Sequence, residues 1–109
     1  MLFKKGSSFH VYPLKLVFLK DEAPMDYPAQ AMFVAPKRSF KKSPDRNTLK
    51  RRMRESYRVK KQELYASLEP TQSHLVLAFL YTGKKEESLE VVSHSVDQLL
   101  KKLCLKLSS

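Results

Sequence analysis

Ser43-Pro44-Asp45-Arg46-Asn47-Thr48-Leu49-Lys50-Arg51-Arg52-Met53-Arg54-Glu55-Ser56-Tyr57-Arg58 is the stretch on which the fold turns. It opens like a helix: Ser43 is placed to cap it, and Pro44 suits the first helical position. Asp45 sits in the first turn, where the helix dipole favours an acid. Pro70 supplies the stop, so the spacing predicts a helix to about Leu68. At roughly 100° per residue, Leu49, Met53, Tyr57 and Leu64 fall on one narrow side, the stripe that faces a core. Arg51, Arg54, Arg58 and Lys61 fall in the neighbouring sector together with Asn47, and Arg46 and Lys50 lie at its border. The helix therefore carries its cations beside its apolar seam.

Strands flank this helix on both sides. Residues 73–82, Ser-His-Leu-Val-Leu-Ala-Phe-Leu-Tyr-Thr, are the most apolar segment and read as a central strand buried on both faces. Before the helix, residues 29–36 read as a strand centred on Phe33 and Val34. Residues 10–20 alternate with a period of two, Tyr12, Leu14, Leu16 and Phe18 on one parity and Val11, Lys15, Val17 and Leu19 on the other. They are expected to form one strand with a well-buried face, with Pro13 marking an edge or a strand start. Two prolines and the acids Asp21, Glu22 and Asp26 make residues 21–28 a loop. After a turn at Gly83-Lys84-Lys85, residues 86–107 show Leu89, Val92, Val96, Leu99, Leu100, Leu103 and Leu107 at helical spacing. The order is strand, strand, helix, strand, helix, with room for a third short strand in the first half. It predicts a single-domain α+β sandwich spanning 1–109, with a sheet of about four strands and helices packed on it.

The chain has 109 residues, 21 Lys+Arg against 11 Asp+Glu, and a formal net charge of +10. Such an excess implies a polyanionic partner. Between positions 46 and 58 stand Arg46, Arg51, Arg52, Arg54 and Arg58 against Lys50 alone. Arginine presents a planar fork that grips phosphate through two hydrogen bonds and stacks on bases. Like charges at i,i+4, such as Lys50 with Arg54 and Arg54 with Arg58, destabilise an isolated helix, and only Glu55 offsets them nearby. An external polyanion would supply the missing charge. A basic helix between strands fits structured RNA better than DNA, whose reading helices come in helix-turn-helix or zinc-bound settings.

The usual catalytic constellations are missing from this pattern. His10, His74 and His94 are scattered without metal-ligand spacing. Cys104, the lone cysteine, lies among leucines and reads as a core or half-buried filler. Metal-dependent cleavage by Asp21, Glu22 and Asp26 is the rival enzymatic reading, and a structural ribosomal or other RNA-binding protein is the main non-enzymatic one. The start, Met1-Leu2-Phe3-Lys4-Lys5-Gly6, lacks the long apolar run of a signal peptide, and no stretch approaches the roughly 20 apolar residues of a membrane span. A soluble cytoplasmic protein with no membrane partner is expected.

The run Arg46-Asn47-Thr48-Leu49-Lys50-Arg51-Arg52-Met53-Arg54-Glu55 resembles the signature helix of the bacterial ribonuclease P protein family, in which Arg-Asn-x-x-Lys-Arg-x-x-Arg recurs. Leu2-Phe3-Lys4-Lys5-Gly6 looks like the end of that family's first helix and its turn. Val34-Ala35-Pro36-Lys37-Arg38 looks like the strand end that carries a basic pair before the signature. The family begins with a basic segment and a full helix ahead of that turn, whereas this sequence starts at the turn, and Thr48 stands where the third signature residue is Arg.

The resemblance implies an α-β-β-β-α-β-α fold with a left-handed βαβ crossover. It implies an accessory role in the RNA-based endonuclease that removes the 5′ leader of precursor tRNA. The large RNA does the chemistry with Mg2+, which the RNA mainly holds, and no protein side chain is catalytic. Its partners would be the catalytic RNA and precursor tRNA, with no obligate protein partner. By carry-over, Arg46, Asn47, Lys50, Arg51 and Arg54 would contact the catalytic RNA, with Lys37 and Arg38 nearby. At Thr48 one phosphate contact would be either lost or supplied by Arg52 or Arg58, and Phe3 would help line a leader cleft beside the sheet.

Overall fold

Alternation along the strands decides which face of the sheet is covered. The computed structural model describes residues 7–21, 29–38, 40–68 and 74–108. Its elements are β1 (Ser7–Val11), β2 (Leu14–Asp21), β3 (Ala29–Val34), α1 (Ser43–Leu68), β4 (His74–Tyr81) and α2 (Leu89–Ser108). Leu14, Leu16 and Phe18 of β2 stand opposite Tyr81, Phe79 and Leu77 of β4, and all six are buried. The stripe Leu49, Met53, Tyr57 and Leu64 of α1 closes on them, with Val92, Val96, Leu99, Leu100 and Leu103 of α2. Both helices thus cover one face of one sheet and share one core. Phe33 of β3 stacks on Phe79 with ring centroids 5.6 Å apart, and Tyr57 packs against both rings.

The sheet has the order β1-β2-β4-β3. β1 is antiparallel to β2 and β2 to β4, whereas β3 is parallel to β4, with α1 as the connection between the parallel pair. The expected α+β sandwich is therefore found, and β4 is central: Val76 and Ala78, on the face away from the helices, are buried as well. Among the described residues no helix is long and apolar enough to cross a membrane.

The structure corrects the expected boundaries in four places. Residues 10–20 are not one strand. Tyr12 and Pro13, joined by a cis bond, turn the chain back into a hairpin in which Val11 faces Leu14. The two-residue turn reverses parity, so Val11 joins the core face while Tyr12 is 53% exposed. β1 is the third short strand for which the sequence leaves room. β3 stops at Val34, ahead of Pro36, rather than running to 36.

The carbonyl of Lys42, not a Ser43 cap, accepts the first helical N–H groups, from Asp45 and Arg46. Finally, α2 begins at Leu89 rather than at residue 86. The three residues before it have other work: Arg52 lies 3.5 Å from Glu86 Oε1 and donates to the Glu87 carbonyl, and Ser88 Oγ accepts from the Val91 N–H. At the other edge Ser95 Oγ donates to the Val11 carbonyl at 2.7 Å, fastening α2 to β1.

Candidate nucleic-acid interface

The cationic sector of α1 is built by the apolar stripe beside it. Burying Leu49, Met53 and Tyr57 fixes the helix rotation, and Asn47, Arg51, Arg54 and Arg58 are then turned to solvent. Lys50 lies half-buried at the border. Arg54 lies over the Phe33 ring, its guanidinium carbon 5.9 Å from the centroid, which draws the side chain toward the sheet edge. Arg58 Nη2 is 3.0 Å from Glu55 Oε2 in an exposed pair, a weak restraint at the surface. Among the described residues, no acidic partner stands against Lys50, Arg51 or Arg54.

Two arginines of the signature face inward. Arg46 Nη1 donates to the carbonyls of Phe40 (2.8 Å) and Lys41 (3.0 Å), and its Nη2 donates to Ser43 Oγ (2.9 Å). It ties the basic loop to the start of α1, while Phe40 is itself buried edge-on against Tyr81. Arg52 points to the turn before α2 and ties the third turn of α1 to it. Thr48 Oγ1 donates back to the Pro44 carbonyl at 2.9 Å, a local helix contact. Arg52 is engaged by Glu86 and Glu87, and Arg58 lies ten positions along the helix from Thr48 in an exposed pair with Glu55.

The loop so tied lies beside a cleft. On the face of the sheet away from the helices, Lys15 and Val17 of β2, Val34 of β3 and Leu80 of β4 floor a concavity of about 490 Å³. Pro36 and Arg38 wall it on the β3 side, and Thr82 at the end of β4. Lys37 and Arg38 are exposed. The sequence leaves open which parity of β2 lines such a cleft; the helices cover Leu14, Leu16 and Phe18, so the Lys15–Val17 parity is the open one. Thr82 and His10 are missing from the sequence-based site. His10 Nε2 and Thr82 Oγ1 are 3.0 Å apart, a juxtaposition created by the unexpected hairpin. Phe3 lies outside the described residues.

Known proteins share this arrangement. The family model described as Ribonuclease P matches residues 1–104. The chain belongs to the ribonuclease P protein family. The ribonuclease P protein component of Porphyromonas gingivalis is 32% identical over 100 residues, covering 91% of this chain and 72% of that protein. The ribonuclease P protein component of Chlorobium phaeobacteroides is 33% identical over 109 residues, with coverage of 91% and 75%. The RNase P protein from Thermotoga maritima has the same fold, with a TM-score of 0.70 at 24% identity over 93% of this chain and 86% of that one. A second structure of that protein, in complex with 1-(4-fluorophenyl)-2-thiourea, gives a TM-score of 0.69 at 22% identity over 93% of this chain and 89% of that one. A ribonuclease P protein component binds the ribonuclease P RNA and takes part in 5′ processing of tRNA. The exposed cations of α1 are chemically suited to the first task.

Proposed function

We propose that residues 1–109 form one RNA-binding domain that docks on the catalytic RNA through α1 and holds the 5′ leader of precursor tRNA across the open sheet face. Asn47, Lys50, Arg51, Arg54 and Arg58 would meet phosphates of the catalytic RNA, and Lys37 and Arg38 would bridge from that surface to the cleft. Arg46 would act partly by holding the loop in place. The observation that carries this reading is the adjacency of the two surfaces: Arg38 belongs to the cleft wall and also to the loop that Arg46 pins to α1. Lys15 on the floor meets a phosphate backbone without reading sequence, as a leader of any sequence requires.

In this proposal the bond is broken by the RNA component and no protein side chain is catalytic. Apart from Thr82 in the cleft, and Asn47 and the Arg58-paired Glu55 on the helix, these surfaces offer lysine, arginine and apolar groups, a donor set that does not fit a divalent cation. Mg2+ would therefore be held mainly by the RNA. The assembly needs no second protein and works in the cytoplasm.

The test is the affinity of the reconstituted ribonucleoprotein for precursor and mature tRNA. The precursor should bind more tightly only when the protein is present, and Lys15→Ala with Arg38→Ala should remove most of that preference. Equal affinity for both tRNAs with the intact chain, or cleavage of precursor by the protein without RNA, would contradict the proposal.

A further inference from the structure

Where β4 gives way to the turn leading to α2, one cluster is used neither by the core nor by the cationic helix face. Tyr12 is 53% exposed, yet its side chain is fixed, because its hydroxyl donates to Glu87 Oε2 at 2.9 Å. The turn passes directly beneath it. Thr82 N and Gly83 N both donate to the Pro13 carbonyl, at 2.7 and 3.3 Å. A Cβ on Gly83 would come within 3.0 Å of Pro13 Cβ and 3.3 Å of Tyr12 Oη, so the bare glycine permits the close approach.

Lys84 and Lys85 follow, both exposed. Neither of the turn's own acids is ion-paired to them: Glu86 lies against Arg52, and Glu87 accepts from the Tyr12 phenol. Among the described residues neither lysine has an acidic partner. The cluster is continuous with the cleft: Thr82 lines it, and His10, beside Thr82, is the strand partner of the cleft's Lys15.

A held, solvent-facing ring beside cations that no ion pair engages is the combination by which proteins bind single-stranded nucleic acid, the ring stacking on a base and the cations meeting the backbone. We infer that Tyr12, Lys84 and Lys85 form a second contact for single-stranded RNA, carrying the precursor's leader on past the end of the cleft. This inference rests on the reading that the cleft holds the leader. It adds a length dependence, because only leaders long enough to leave the cleft reach the cluster.

The experiment measures the affinity of the reconstituted ribonucleoprotein for precursors with leaders graded in length. The chains are the intact protein, Lys84→Ala/Lys85→Ala, Tyr12→Leu and Tyr12→Phe. The lysine pair is exposed, so its variant tests the idea even if Tyr12→Leu melts early. For long leaders the double variant and Tyr12→Leu should each bind about fivefold or more weakly, with short leaders and mature tRNA unaffected. Tyr12→Phe keeps the stacking ring but loses its tether to Glu87, so it should bind long leaders more weakly than the intact chain and more tightly than Tyr12→Leu; binding as weak as that of Tyr12→Leu would show that the hydroxyl alone matters and would overturn the stacking contact. Long leaders bound equally well by the double variant would overturn this inference while leaving the cleft in place. Equal losses on short and long leaders would assign the cluster to the catalytic RNA and overturn it too. No leader dependence in the intact chain would overturn the cleft reading along with it.

Discussion

Arg46 and Arg54 lie on the same helix and belong to the same motif, but their surroundings give them different tasks. Arg46 holds two carbonyls and a hydroxyl of the loop before α1, whereas Arg54 rests on Phe33 with its fork open to solvent. Arg46→Ala should therefore cost about 1–3 kcal/mol of stability as well as RNA affinity, since it leaves two carbonyls without their charged donor. Arg54→Ala should cost at most about 1 kcal/mol of stability, the worth of an exposed cation–π contact, while weakening RNA binding. Thermal melts beside RNA titrations of the two variants would separate these outcomes, and equal stability losses would contradict the distinction. That both positions are cationic was legible in the sequence. Their directions were not, because Arg46's partners depend on the path of the loop at 40 and 41.

A second residue-scale prediction concerns Tyr57, whose hydroxyl is buried without a hydrogen-bond partner among the described residues. Burial first, and the nearby Tyr65 phenol second, push its ionisation above the ordinary value of 10. A raised acid favours its neutral form in the folded chain, so that stability is fully present below pH 10 and is lost as the pH climbs further. Tyr57→Phe should leave stability at neutral pH unchanged or raise it by up to about 1 kcal/mol. It should also flatten the alkaline loss above pH 10 in a melting series, and a variant as alkali-sensitive as the parent would refute this.

At the scale of elements, the period of the apolar residues decided what could be read. The α1 stripe, the α2 stripe and the continuous apolar run of β4 each match one template over enough residues to resist local disturbance. Met53, fully buried at the centre of the α1 stripe, tests this directly: Met53→Ala should cost about 2–5 kcal/mol in denaturant unfolding. A loss under 1 kcal/mol would mean that the stripe does not anchor the helix.

The β1–β2 hairpin was not legible because Val11 and Leu14 are both apolar, so the alternation seemed to run on through Tyr12 and Pro13. The start of α2 was hidden for a different reason. Glu86 and Glu87 look like first-turn acids, but Arg52 and Tyr12, distant in sequence, and the nearby Tyr81 hydroxyl engage them in the turn. The His10–Thr82 end of the cleft stayed hidden with the hairpin, whereas the exposed sector of Asn47, Arg51, Arg54 and Arg58 followed from helical spacing.

At the scale of the whole molecule, the charge of +10 is spread so that Lys50, Arg51 and Arg54 of α1, the loop at 37–42 and the turn at 84–85 carry cations without acidic partners among the described residues. Lys60, by contrast, shares Asp97 with Lys101, so α2 compensates charge on the side away from that face. Binding should weaken steeply with salt, because each neutralised phosphate releases counterions. For Arg51→Ala/Arg54→Ala the slope of log affinity against log salt should fall by about 1.4–1.8, two phosphates at about 0.7–0.9 each. An unchanged slope would place the RNA elsewhere.

The central claim, that the open cations of α1 dock the catalytic RNA and thereby promote 5′ maturation, is tested most directly by reconstitution. The protein is mixed with a bacterial ribonuclease P RNA and a leader-bearing precursor tRNA at low magnesium and near-physiological salt, and leader release is followed. The intact chain should stimulate cleavage strongly. Arg51→Ala/Arg54→Ala should need roughly thirtyfold more protein for the same effect, since an exposed arginine on a phosphate is worth about 1 kcal/mol and two are removed. Stimulation by the double variant at the same protein concentration as the intact chain, or none by the intact chain, would contradict the claim.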